Sequence, residues 1–205
     1  MSGKLYLIRH GEVNSNRENV YIGSTDIELN EKGIEQAQLL AQRLKDAEID
    51  AIYSSSMCRA MRTAEEISKV ANIAVIPCPN LRELDYGDWE GVPEEIVRSV
   101  YIDQYTKWIE NPLEVPVPSG ESFGQLRGRV MPAFYEIAEA YRDKCVVIVS
   151  HKSTNRVILA SLLGMDVNRY RQIGQGNTCL NMIEMRNDGS FVVDCINDQG
   201  HLETW

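Results

Sequence analysis

Two of the three histidines stand directly after strand-like apolar runs. His10 follows LYLI and Arg9, and His151 follows CVVIVS. In an open α/β sheet the ligand crevice lies outside the carboxyl ends of the strands, so both imidazoles face one crevice if the two strands are neighbours. Arg59 comes after a third such run, IYSS, in the first turn of the helix that follows. A helix start adds unpaired backbone N–H groups and the positive end of its dipole. Two guanidiniums, two imidazoles and a helix end make a pocket for an oxyanion; a phosphoryl group, with several acceptor oxygens, suits it. The plainer alternatives are a strand-end histidine bonded to backbone at position 10 and a solvated helix arginine at position 59. Arg62 and His201 read as solvated surface residues.

Those residues need a scaffold, and the chain alternates strand and helix patterns throughout. The alternation predicts an α/β fold, a three-layer α/β/α sandwich with a mostly parallel central sheet. Asn30 caps a helix that turns Ile34, Ala37, Ala41 and Leu44 inward, and a second helix over about 57–70 turns Met57, Ala60, Ala64 and Ile67 inward. IAVIP is a strand ended by proline. Ser122 and Gln125 form a capping box for a helix that Pro132 kinks. Ser153 caps a helix that Gly164 ends, and CLNMIEM pairs with FVVDCI as a terminal hairpin. Between about 92 and 122, helical fragments with aromatics and a proline-rich run break the alternation. This reads as a lid or specificity insertion within a single 1–205 domain. Tyr86, Trp89 and Trp108 read as core or lid packing, with Trp108 the best placed of them to touch a substrate.

The 205 residues, 43% apolar and 25% charged, fit one domain. A formal net charge of -9 argues against nucleic acid or an anionic membrane as partner, and a local cationic cluster stands out against it. No apolar run of about 18 residues is present, so no membrane span is expected, and the start MSGKLYLI lacks the apolar core of a signal peptide. Five scattered cysteines without a C-x-x-C pair (Cys58, Cys78, Cys145, Cys179 and Cys195) read as reduced thiols of a cytoplasmic protein. Cys58, beside Arg59, is the one that an electropositive setting could activate. A homodimer stays open.

Four stretches, in order, resemble the motifs of the histidine phosphatase, or phosphoglycerate mutase-like, superfamily: LIRHGEVNSN, SSSMCRAMRTA, LRELDYGDWEG and VSHKSTNR. The resemblance implies that His10 is the nucleophile, that Arg9, Arg59 and His151 bind the phosphate oxygens, and that Glu83 is the general acid. It implies a further phosphate contact at Asn16 and a backbone donor at Gly23 facing the substrate. Asp85, Asp88 and Glu90 are competing acids. The residue types suit the reaction. A neutral imidazole attacks phosphorus in line, fixed positive donors stabilise the charge spread over three equatorial oxygens, and a carboxyl protonates the departing alkoxide. Water then cleaves the phosphohistidine. Arginines supply the charge that a metal supplies elsewhere, so neither metal nor cofactor is expected.

Within the family the chain looks like a phosphatase acting on a small phosphorylated metabolite. Mutases usually place a hydroxyl residue where Ile22 stands and an arginine where Leu84 follows the acid, and they carry a fuller lid. Small phosphatases often have glutamine at the Ile22 position. Lys152 replaces a frequent glycine, and its ammonium adds a contact for an anionic substrate. The alternatives are mutase-type phosphoryl transfer and a catalytically quiet protein that only binds a phospho-ligand.

Overall fold

The computed structural model describes residues 2–202. Its centre is a six-stranded sheet in the order β3-β2-β4-β1-β5-β6. The strands are β1 (Gly3–Arg9), β2 (Ala51–Ser54), β3 (Val75–Pro77), β4 (Cys145–Ser150), β5 (Leu180–Met185) and β6 (Phe191–Asp198). The pairs β1–β4, β4–β2 and β2–β3 are parallel, and β5 and β6 add an antiparallel hairpin beside β1. The β1–β4 register runs from Lys4 opposite Cys145 to Arg9 opposite Ser150. The two strands are therefore neighbours, and His10 and His151 leave them side by side.

Alternation along the strands builds the three layers. Leu5, Leu7, Val146 and Ile148 face one core, while Ile8, Val147 and Val149 face the other. The second core is closed by α2 (Glu31–Arg43) and α3 (Cys58–Ala71) through Leu40, Ala60, Ala64 and Ile67. The first is closed by α6 (Phe123–Ala140) and α7 (Lys152–Leu162). A short helix, α1 (Asn14–Arg17), follows the His10 turn, and α4 (Glu94–Val100) and α5 (Ile102–Glu110) occupy the insertion.

Helix ends follow side-chain chemistry. Asn30 accepts from the Gly33 N–H, and Ser122 and Gln125 form a reciprocal box. Helix α6 continues through Pro132 over its 18 residues. Gly164, at φ +62, stops the chain after α7. Ser153, however, does not cap α7. His151 holds the cap position, and the Ser153 N–H donates to the Glu83 carboxylate. A carboxyl acceptor from another segment takes that N–H.

The insertion is fastened to the core. Trp108 is 1% exposed and meets Trp89 edge to face at 5.3 Å, with Tyr105 and Phe123 completing the stack. Its ring belongs to the core that contains Leu5 and Leu7, so it touches no substrate. The three aromatics share too much apolar area to leave in water, and Tyr86 alone among those considered reaches the pocket. His201 is not a surface residue either. It is half-buried, and its Nε2 lies 3.1 Å from the Thr178 hydroxyl. Among the described residues, no helix is long and apolar enough to cross a membrane.

Candidate active site

At the carboxyl ends of β1 and β4 lies a cavity of about 190 Å³. Arg9, His10, Asn16, Glu83, Tyr86, Lys152 and Asn177 line it, with Tyr21, Ile22 and Glu94 at the rim. A larger groove of about 680 Å³ opens at the amino ends of the strands. It carries mixed charge from Lys4, Asp50 and Lys144 and none of the motif residues.

The two imidazoles stand edge to face with centroids 5.1 Å apart. His10 Nδ1 is 2.7 Å from the Gly11 carbonyl oxygen. A carbonyl only accepts, so Nδ1 carries the proton and Nε2 keeps its lone pair. His151 Nε2 is 2.7 Å from the Ser55 hydroxyl, which already accepts from the Met57 N–H. The hydroxyl has one proton to give and a second lone pair, so this contact serves either tautomer, and the buried His151 Nδ1 has no hydrogen-bond partner among the described residues. Burial, then the charges of Arg59 and Arg9, hold His10 well below its ordinary value. Burial, then Arg59, does the same to His151. Both rings are neutral near pH 7.

Three cations surround them. Arg9 hangs from the Gln175 carbonyl by Nη1 at 2.7 Å, and its buried Nε has no partner. Arg59, 1% exposed, stands behind the imidazoles and donates to the carbonyls of Gly23 and Thr25. Lys152 reaches water through the mouth. Burial of its ammonium among protein atoms, then the charges of Arg9 and Arg156, pull it down to about 8. Among the described residues, no hydrogen bond or ion pair engages that ammonium.

Glu83 is 7% exposed, with Oε1 accepting from the Leu84 N–H at 2.8 Å and Oε2 from the Ser153 N–H at 3.0 Å. Glu90, by contrast, spends both oxygens on backbone and a hydroxyl. Asn16 Oδ1 accepts from the Val13 N–H and from Asn177 Nδ2, which leaves its own N–H groups for the pocket. The Gly23 N–H, expected to face a substrate, donates to Glu90 at 2.9 Å.

Two features were missed in the sequence. Asn177 ties the site together, since its amide also donates to the His10 carbonyl. Arg129, on the far helix α6, donates to the carbonyls of Asn80, Arg82 and Glu83 and forms a paired bond with Glu121. It clamps the acid segment. No local motif marks either residue; only the folded path brings them in. The setting of Cys58 is not the electropositive one that would activate it: its thiol donates to the Ile27 carbonyl, and burial together with the Asp26 carboxylate pushes it up to about 12.

A family model described as the histidine phosphatase superfamily, branch 1, matches residues 5–199. The chain belongs to the histidine phosphatase superfamily. Among members of that superfamily, it is 36% identical to phosphoserine phosphatase 1 of Hydrogenobacter thermophilus, over 97% of this chain and 94% of the relative. The structure of YhfR from Bacillus stearothermophilus superposes with a TM-score of 0.91 at 29% identity, covering 98% of this chain and all of the other. Phosphoserine phosphatase from Entamoeba histolytica, solved with 3-phosphoglyceric acid, superposes at 0.88 with 30% identity, again over 98% of this chain and 100% of that one. The chain is a phosphoric monoester hydrolase with activity on small phosphate esters.

Proposed function

We propose that the chain hydrolyses its ester in two steps through a phosphohistidine on His10, with Glu83 as general acid and no metal ion. The observation that carries this reading is the Gly11 carbonyl on His10 Nδ1, which leaves Nε2 as an unprotonated nucleophile at the cavity wall. Nε2 attacks phosphorus in line, the N–P bond forms and the ester P–O bond breaks, and Glu83 gives its proton to the leaving oxygen. Water then attacks the phosphohistidine, the Glu83 carboxylate takes its proton, and inorganic phosphate departs as the N–P bond breaks. Arg9 Nε and His151 Nδ1 are both buried and without a partner among the described residues; a phosphoryl oxygen would satisfy Arg9 Nε, and His151 in its Nδ1–H tautomer, with Arg59 and the Asn16 amide beside them.

The phosphoserine phosphatases among the relatives favour a phosphorylated amino acid, and the unpaired ammonium of Lys152 suits a second anionic group on it. Five unpaired thiols fit a cytoplasmic setting.

The test is a hydrolysis panel of p-nitrophenyl phosphate, phosphoserine and sugar phosphates in excess EDTA, with 3-phosphoglycerate isomerisation measured beside it. Turnover in EDTA, an acid-labile phosphoenzyme, and loss of both in His10→Ala are expected. Turnover surviving in His10→Ala refutes the nucleophile. Isomerisation outrunning hydrolysis favours the mutase reading, and phosphate binding without turnover favours the quiet binder.

A further inference from the structure

Loop 23–25 is held from two sides. On one, the Glu90 carboxylate accepts from the backbone N–H groups of Gly23 at 2.9 Å, Ser24 at 2.8 Å and Thr25 at 3.3 Å, and from the Thr25 hydroxyl at 2.8 Å. On the other, Arg59 Nη1 donates to the Thr25 carbonyl at 2.9 Å and Nη2 to the Gly23 carbonyl at 2.8 Å. Successive N–H groups converging on one anion form a backbone nest, and here the anion is a side chain of the same protein. Glu90 Oε1 also accepts from the Tyr86 N–H at 3.2 Å. A Cβ at Gly23 would collide with the Leu84 carbonyl, so the loop sits directly on the segment that carries Glu83.

We infer that Glu90 is a positioning residue for Arg59: its carboxylate fills the nest, and the loop so fixed turns two carbonyls toward the guanidinium and sets its direction behind the two imidazoles. A guanidinium is a rigid fork, so anchoring two of its N–H groups aims the others. Filling the nest from within also closes it to a carboxylate of the substrate, and among the described residues that line the cavity Lys152 is a cation that can meet such a group. The inference rests on the phosphate-holding role proposed above for Arg59.

Equilibrium binding of inorganic phosphate, followed by calorimetry, tests it without requiring turnover. Glu90→Ala should bind phosphate about 10- to 100-fold more weakly, as loss of a supporting partner commonly does. Sodium acetate should restore much of the affinity by occupying the emptied nest, and sodium chloride at equal ionic strength should not. Glu90→Gln keeps the volume but cannot serve the same donors; it should bind weakly with no gain from acetate. If Glu90→Ala does not fold, Glu90→Gln alone decides. Wild-type affinity in a folded variant, or equal recovery with acetate and chloride, overturns the inference. A wild type that binds phosphate but forms no phosphohistidine refutes the catalytic reading and leaves this test intact. A wild type that binds no phosphate removes both.

Discussion

The Glu83 carboxyl closes the N-terminus of α7, whose cap position is His151: its Oε2 takes the Ser153 N–H at 3.0 Å. The candidate acid and the second imidazole thus share one helix end. Replacing Glu83 by glutamine keeps an acceptor for one N–H and removes the proton. For an alkyl phosphate such as phosphoserine, kcat should fall on the order of 10²- to 10⁴-fold. For p-nitrophenyl phosphate, whose leaving group needs little protonation, the fall should be much smaller. Equal losses on the two substrates would assign Glu83 to binding alone.

His10 and His151 predict the acid limb. Burial, then Arg59, holds both rings well below 6.5 in the folded chain, while the unfolded chain titrates them near that value. The nucleophile of the free enzyme therefore stays neutral as pH falls through 6.5, and kcat/KM, corrected for the substrate's own phosphate ionisation, should show no loss there. Stability behaves oppositely. Below 6.5 the unfolded chain binds protons that the folded chain refuses, so stability declines as pH drops toward the folded values. A urea midpoint series in wild type and His10→Gln checks this, the variant declining less steeply.

Lys152 predicts the alkaline limb. Its ammonium, drawn down to about 8, is charged below that pH and neutral above it. KM for a substrate with a second anionic group should rise as pH passes about 8, and Lys152→Met should flatten that rise. Between about 8 and the ordinary 10.5 the unfolded chain holds a proton that the folded chain has lost, so stability grows with pH across this window. Lys152→Met should accordingly have a higher Tm than wild type at pH 7. A lower Tm would place Lys152 in a compensating contact instead.

Arg129 acts at a distance from phosphorus. It binds the carbonyls of Asn80, Arg82 and Glu83 while pairing with Glu121, whose second partner is the Asp85 N–H. Burial raises the Glu121 carboxyl, and the Arg129 hydrogen bond and charge more than reverse it, so its value lies below the usual 4.5. Arg129→Ala should cost about 2–3 kcal/mol of stability, as expected for charged hydrogen bonds. It should also lower kcat more on alkyl than on aryl phosphates by loosening Glu83. The contribution from Glu121 is present above pH 4.5 and fades as acid protonates the pair, so the gap between wild type and Arg129→Ala should narrow below pH 4.5.

Much of this site was legible in the residues. Two strand-end histidines and a helix-start arginine placed the crevice because a parallel sheet leaves its ligands only one edge. The capping box at Ser122 and Gln125 and the glycine stop at Gly164 follow from backbone hydrogen-bond needs alone. What was not legible depends on long-range packing. Ser153 carries the chemistry of a cap, yet a carboxylate 70 residues away takes its N–H. Trp108 in an insertion looks like a lid contact until Trp89 is known to lie beneath it. Gly23 has an N–H fit for a substrate, but Glu90 reaches it first. His201 looks exposed near the chain end, whereas the loop that carries Thr178 folds onto it.

Trp89 and Trp108, both buried within 5.3 Å of one another, fasten the insertion by its middle. A door bolted at its centre has no axis to swing on. Traffic through the mouth then falls to side chains that line it, such as Lys152, rather than to a swing of the insertion. With the insertion so fastened, kcat should not change when a viscogen is added, and a kcat that falls in proportion to viscosity would assign turnover to a slow movement or to product release.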